Sequence, residues 1–306
     1  MAGKLKDEIS VYCNDEGALF VEANVDCNLY EFLTKPDAKL LNHFPPTNDP
    51  TTRDFAPGCM GIIQFTRFQC GGTAISLDFK FARLQPNCVL KATAKLHAPT
   101  RKVDDEEIRV RSFKDCWLKA KVGPIRKQYP SRVEVVLALI LKGVMSASRS
   151  ITGSTRPSVL FQAVDLRRRM NPPLPKNFIG NLFWLAPLVI KEDEMDLKIM
   201  VYEMKEAVNS FSLKASKFNG EEGFSVIREF FKGRECYKDM ERYSCASWCK
   251  FPLYETDYGF GKPVWVSSTI VAFKNTIVLV DTKQGDGIEA WVALEEENML
   301  IFEGKL

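Results

Sequence analysis

A chain of 306 residues, 45% hydrophobic and 26% charged, is long enough for about two domains and has the ordinary balance of a globular protein. A formal net charge of +3, with Lys and Arg scattered rather than gathered on one stretch, excludes the electrostatic footprint of a nucleic-acid binder. Nine cysteines without a Cys-x-x-Cys pair and two isolated histidines, His43 and His97, argue against a disulfide framework and against a metal site.

The amino-terminal MAGKLKDEIS carries no apolar signal-like segment, and the longest apolar run, Val135 to Leu141, is too short to cross a bilayer. The expectation is a cytoplasmic protein with no membrane partner and with reduced thiols. The stretch ISVYCNDEGALFVEANV reads as two apolar runs joined by an Asn-Asp-Glu-Gly turn, which predicts a hairpin. LNHFPPTNDPTTRDFAPG follows as a surface connector, then GIIQFTRFQCGGTAIS as a buried strand closing on a double-glycine bend. Residues 77–107 show neither helical nor strand period and read as a linker or a damaged remnant.

Order returns at YPSRVEVVLALILKGVMSAS. Ser131 and Glu134 stand three apart before an apolar run, the spacing of a capping box, and predict a buried helix. SVLFQAVDLRRRM reads as a strand running into a basic cluster, and NPPLPKNFIGN as a proline-stiffened loop. Leu197, Met200, Val201, Met204, Val208 and Phe211 share one face of a core-facing helix. VWVSSTIVAFKNTIVLVDTKQGDGIEAWVAL predicts three antiparallel strands with Lys-Asn and Gly-Asp-Gly turns, and the acidic run Glu295 to Glu297 is expected on a solvated face. The second half is therefore α+β, helices on a mostly antiparallel sheet.

No Gly-x-Ser-x-Gly elbow, Walker-type phosphate loop, dinucleotide fingerprint or kinase signature occurs. The informative stretch is YETDYGFGKPVWV. Read as a strand, it places Asp257, Gly259 and Gly261 on one side, leaving one face bare around a carboxylate. Buried there, Asp257 needs a cationic partner, and Arg167 or Arg169 of AVDLRRRMNPPLP can offer a planar fork.

DYGFGKP resembles the Asp-Phe-Gly-Trp-Gly signature of the BAHD acyltransferases, the plant family that moves acyl groups from coenzyme A thioesters to alcohols or amines. SWCKFPLYETDYGFGKPVWV, VDLRRRMNPPLP, NFIGN and LKDEISVYCNDEGALFVEANV are similar to family blocks in the family's order, nearest its alkaloid O-acetyltransferases, over about residues 3–76 and 107–306. The resemblance implies a two-domain chloramphenicol-acetyltransferase-like α+β fold of mixed and antiparallel sheets with helices. It places an incomplete first domain at 1–129 and the second at 130–306. It implies an acyl-CoA, acetyl-CoA above all, as co-substrate rather than a bound cofactor, a small-molecule alcohol as acceptor, and a monomer. It pairs Asp257 with Arg167 as a structural junction with Gly259 and Gly261, with Tyr258 and Phe260 standing for the family's Phe and Trp. It sets Ser247, Trp248 and Lys250 beside the acceptor pocket.

The family's catalytic His-x-x-x-Asp block has no match: the residues after FQCGGTAIS are Leu77, Asp78, Phe79 and Lys80, and neither His43 nor His97 has an aspartate four residues on. No residue is therefore assigned a catalytic role. An alcohol attacking a thioester must lose its proton, and a general base contributes roughly 10²- to 10⁴-fold, so turnover is expected to be weakened. Two readings follow: an impaired O-acyltransferase, or an inactive relative that is a binding or regulatory protein or a non-functional fragment.

Overall fold

The computed structural model describes residues 4–5, 11–12, 15, 17–34, 41, 44, 61–79, 106–114, 122–125, 129–153, 156–175, 182–191, 196–216, 234–267 and 274–305. The chain divides into two compact units, Met1–Arg101 and Lys102–Leu306.

In the first unit, β1 (Lys4–Leu5) and β2 (Val11–Tyr12) form a short antiparallel pair. The sheet proper has the order β3 (Leu19–Val25), β4 (Gly61–Phe68), β5 (Thr73–Phe79), with β3 parallel and β5 antiparallel to β4. The hairpin expected across Asn14–Gly17 does not form: β2 pairs back to β1, and β3 takes β4 as its partner. β4 has a neighbour on each side and is buried along most of its length. The short helix α1 (Leu29–Thr34) adds Phe32, which meets Phe44 and Phe68 at ring separations of 5.5 and 6.3 Å. Leu41, Phe44, Ile62 and Phe65 are buried with them.

The double-glycine bend is present, and its two glycines answer different needs. Gly71 has φ of 83°, a left-handed backbone, while Gly72 lies so close to Leu29 that a Cβ would sit 2.7 Å from its Cδ2. The predicted connector at 41–58 lies outside the described residues apart from Leu41 and Phe44. The irregular segment is narrower than expected, since β5 reaches Phe79 and β6 (Glu106–Lys114) begins before its end; residues 80–105 lie outside the described ones.

The second unit is built on a six-stranded mixed sheet, β6-β11-β10-β9-β7-β8. Its members are β6, β7 (Ser158–Asp165), β8 (Phe183–Ile190), β9 (Glu241–Ser247), β10 (Thr276–Asp281) and β11 (Gly287–Glu295). β9 runs parallel to both β7 and β10; the other pairings are antiparallel. β6 pairs along its whole length with β11, so the break between units falls at 101/102 and not at the expected 129/130. Of the three-stranded meander, β10 and β11 form as predicted. Val264 to Ser267 is not a strand, residues 268–273 lie outside the described ones, and the second neighbour of β10 is the parallel β9. Pro187 is accommodated because β8 is an edge strand.

Helix α2 (Arg132–Thr152) starts at the predicted capping box: the Glu134 amide donates to Ser131 Oγ at 3.3 Å and the Ser131 amide donates to Glu134 Oε2 at 2.7 Å. It is also long and apolar enough to span a bilayer by length and composition alone, yet Val136, Ala138, Ile140, Leu141 and Ala147 are fully enclosed by protein. Helix α3 (Leu197–Ala215) buries Met200, Val201, Met204 and Phe211, with Leu197 packed beside them and Val208 half-buried. With α4 (Glu296–Glu303), which supplies Met299 and Phe302, these helices cover one face of the sheet against Leu160, Leu279, Ile288, Ala290 and Val292. Glu295, Glu296 and Glu297 are exposed, as expected.

Candidate functional site: the segment leaving the sheet at Ser247

The second face of the sheet is not open. Val278, Val280, Trp291 and Ala293 alternate with the helix-facing residues and are also buried. The segment 248–267 supplies part of the cover, with Trp265 lying 5.3 Å from Trp291 between ring centroids.

SWCKFPL is where the chain turns off the sheet. Ser247 is in register with Leu279, and the Trp248 amide donates to Leu279 O at 2.7 Å, one step beyond β9. The chain then reverses, the Phe251 amide donating to Trp248 O at 3.1 Å, and Lys250 takes a left-handed backbone with φ of 70°. Asp281, the last residue of β10, holds this conformation. Its Oδ2 accepts the Lys250 amide at 2.7 Å and its Oδ1 accepts Arg132 Nη2 at 3.0 Å, while Arg132 Nη1 reaches Gly285 O at 3.1 Å. One carboxylate thus ties the start of α2, the end of β10 and the turn after β9 together.

The three residues expected beside an acceptor are brought together here, but with different environments. Ser247 and Trp248 are half-buried and Lys250 is exposed. Burial pushes the Cys249 thiol up to about 11, with Ser247 opposing the rise and the Asp281 carboxylate adding to it. Cys245 is deeper and burial pushes it up to about 12. Neither thiol is a nucleophile near neutrality. The pair lies on a strand and the turn that follows it.

A polar pair escaped the sequence reading. Glu289 stands on β11 between the helix-facing Ile288 and Ala290, so it points to the second face. Its Oε2 is enclosed with no hydrogen-bond partner among the described residues, and burial holds its carboxyl above the usual carboxylate range. Nearby Tyr254 has its hydroxyl raised by burial and by the Glu289 charge, with the Val266 backbone opposing. No local pattern marks Glu289; only the strand alternation, read with burial on both faces, could have found it.

The glycine-aromatic signature departs from its expected geometry. It is a loop with Gly259 and Gly261 at φ of 93° and 89°, so its side chains do not alternate as on a strand. Asp257 is exposed, and its Oδ1 accepts the amides of Gly259 at 2.7 Å and Gly261 at 3.0 Å. The carboxylate closes its own loop, which is why two left-handed glycines follow it. The expected ion pair with Arg167 does not form. β7 ends at Asp165, and Arg167 lies in the turn beyond it, with its Nη1 2.9 Å from Asp165 Oδ1. Arg169, the second choice, donates to Ser212 Oγ and to Asp165 O, each at 2.8 Å. Tyr258 and Phe260 are 55% and 66% exposed.

A family model described as the Transferase family matches residues 1–84 and 89–306. The chain is 34% identical to epi-neemfruitin B 7-O-acetyltransferase of Melia azedarach, with 99% of this chain and 78% of that protein aligned. Among solved structures it resembles vinorine synthase, at 26% identity and a TM-score of 0.74 over 98% of this chain and 78% of that one. It also shares the fold of F. sporotrichioides TRI101, solved with coenzyme A and T-2, at 15% identity and a TM-score of 0.69 over 99% of this chain and 84% of that one.

Proposed function

Because the chain belongs to the Transferase family of BAHD acyltransferases and has their two-domain, chloramphenicol-acetyltransferase-like α+β fold, we propose that it transfers an acetyl group from acetyl coenzyme A to an alcohol of plant specialised metabolism. The carrying observation is the family match across both units. The acetyl group and the oxygen acceptor are supported by the O-acetyltransferase of Melia azedarach. Acyl-CoA is a co-substrate in this reading, and the acting form is a cytoplasmic monomer, which light scattering on the purified chain tests.

In the reaction the acceptor oxygen attacks the thioester carbonyl carbon, the C–O bond forms, the C–S bond breaks and coenzyme A leaves as its thiol. The hydroxyl proton has to move to a base as the oxygen attacks. With no His-x-x-x-Asp block in the sequence, that transfer falls to solvent, and turnover drops by about 10²- to 10⁴-fold relative to a family member that has the block. Ser247, Trp248 and Lys250 line the acceptor side in this proposal. Their support is their common position on the turn that Asp281 fixes.

The same missing block favours a second reading, a protein that binds acyl-CoA without turning it over. One experiment separates them. Purified chain is incubated with acetyl coenzyme A and a panel of plant alcohols, with release of free coenzyme A and ester formation followed together. Slow ester formation above the uncatalysed rate supports the transferase. Saturable binding of acetyl coenzyme A with no ester supports the binding protein. Neither binding nor ester overturns both.

A further inference from the structure

The first unit holds two cysteines placed side by side where β3 and β4 end. The last registered pair of these parallel strands is Val25 with Phe68, and Cys27 and Cys70 each lie two residues beyond it. The pairing continues past the strands, since the Gln69 amide donates to Val25 O and to Cys27 O, both at 3.2 Å. The Leu29 amide then donates to Cys70 Sγ at 3.4 Å. The turn carrying Cys70 is packed on this segment so closely that a Cβ on Gly72 would meet Leu29 at 2.7 Å. Cys27 lies on the bend after β3 and Cys70 in the β4–β5 turn, and these contacts set the two turns side by side; a disulfide needs the two Cα atoms at roughly 4.4–6.8 Å.

We propose that Cys70 is a thiol-modification site that reacts with low-molecular-weight disulfides of the glutathione class, and that Cys27 resolves the adduct to a reversible Cys27–Cys70 disulfide.

Access and reactivity agree with this. Cys70 is exposed and Cys27 half-buried. The backbone amides of Leu29 and then Gly72 hold the Cys70 thiol below its ordinary range, which favours the attacking thiolate. Cys245 and Cys249 are shifted the other way. In the first step the Cys70 thiolate attacks one sulfur of oxidised glutathione, an S–S bond forms, and one glutathione leaves as thiolate. In the second, Cys27 loses its proton to water and attacks the Cys70 sulfur, and the second glutathione leaves. Two protein thiols are oxidised while one small disulfide is reduced to two thiols, and excess reduced glutathione reverses both steps. The bond joins the exit of β3 to the β4–β5 turn and encloses α1 between its two ends.

The test uses the full chain. Purified protein is incubated with oxidised glutathione, quenched with N-ethylmaleimide, digested without reduction and mapped by mass spectrometry. A peptide pair joining Cys27 to Cys70, released by dithiothreitol, is expected. Without oxidant, Cys70 is expected to alkylate several-fold faster than Cys236, which is also exposed. In Cys27→Ser a glutathione adduct is expected to persist on Cys70. The proposal is overturned by equal alkylation of Cys70 and Cys236, by a Cys70 adduct as stable in the parent as in Cys27→Ser, or by a Cys70 disulfide to any other cysteine. The mapping and alkylation on the unmodified chain decide the matter even where the serine variant folds poorly.

Discussion

Arg132 Nη2 and Asp281 Oδ1 lie 3.0 Å apart, joining the first residue of α2 to the last of β10. Both side chains are partly shielded from solvent, and the second carboxylate oxygen holds the strained turn at Lys250. Hydrogen bonds to charged groups contribute about 1.5–3 kcal/mol. Asp281→Ala is expected to lower unfolding free energy by about that amount in urea titration, and Asp281→Asn by less, since its amide oxygen can still accept from Lys250. A loss below about 0.5 kcal/mol for the alanine variant would show that the junction holds without it.

Lys250 separates stability from substrate contact. A left-handed backbone costs a non-glycine residue about 1–2 kcal/mol, so Lys250→Gly is expected to be at least as stable as the parent. In an active preparation the same variant should raise KM for the acceptor while leaving kcat unchanged. An unaltered KM removes Lys250 from the acceptor side.

The loop closed by Asp257 is expected to be stabilised without Arg167. Asp257→Ala deprives two glycine amides of their acceptor and is expected to cost about 0.5–2 kcal/mol, the range seen when a helix cap is removed. Combined with Arg167→Ala, the two losses should add to within about 0.5 kcal/mol, because the residues share no contact. A coupling energy above about 1 kcal/mol in the double-mutant cycle would restore the ion pair.

Glu289 gives a signed pH dependence. Burial raises its folded-state pKa above the unfolded value, so the folded protein favours the protonated carboxyl. The stability this group contributes is present below the ordinary carboxylate range and lost as pH rises through the folded value. Between about pH 4 and pH 7, Glu289→Gln should therefore flatten the fall of thermal midpoint with rising pH. Tyr254, the nearby phenol, stays neutral over that window because its own pKa is raised. Parallel curves for parent and variant would exclude the carboxyl as the source.

At the start of α2, Ser131→Ala is expected to cost about 1 kcal/mol and Ser131→Gly a few tenths, as read by chemical denaturation. Equal losses for both would mean that the hydroxyl contributes little.

The elements legible in the sequence were those specified locally. The capping box of Ser131 and Glu134, the apolar face from Leu197 to Phe211 and the Gly-Asp-Gly turn all depend on neighbours within a few residues. What failed was partner choice over distance. β3 and β2 looked like a hairpin because they are adjacent, yet β3 pairs in parallel with β4, and no residue between them announces it. β6 did carry a signal, Ile108 and Val110 alternating with Arg109 and Arg111, but the irregular stretch ahead of it masked the change of rhythm. Ser247 to Lys250 could be read together because they are neighbours in sequence, whereas Asp281 was missed because its hold on their turn comes from the chain folding back some thirty residues later. The glycines after Asp257 were read as room for a neighbouring cation; a left-handed backbone closing on its own aspartate uses the same letters.

The pairing of β6 with β11 sets an order of events during synthesis. Residues 106–114 leave the ribosome long before residues 287–295, and until then a nine-residue strand has nothing to bond to along that edge. A nascent second unit therefore carries an open flank through most of translation. An unpaired strand flank of this kind is a template for pairing with other chains until its own partner is made.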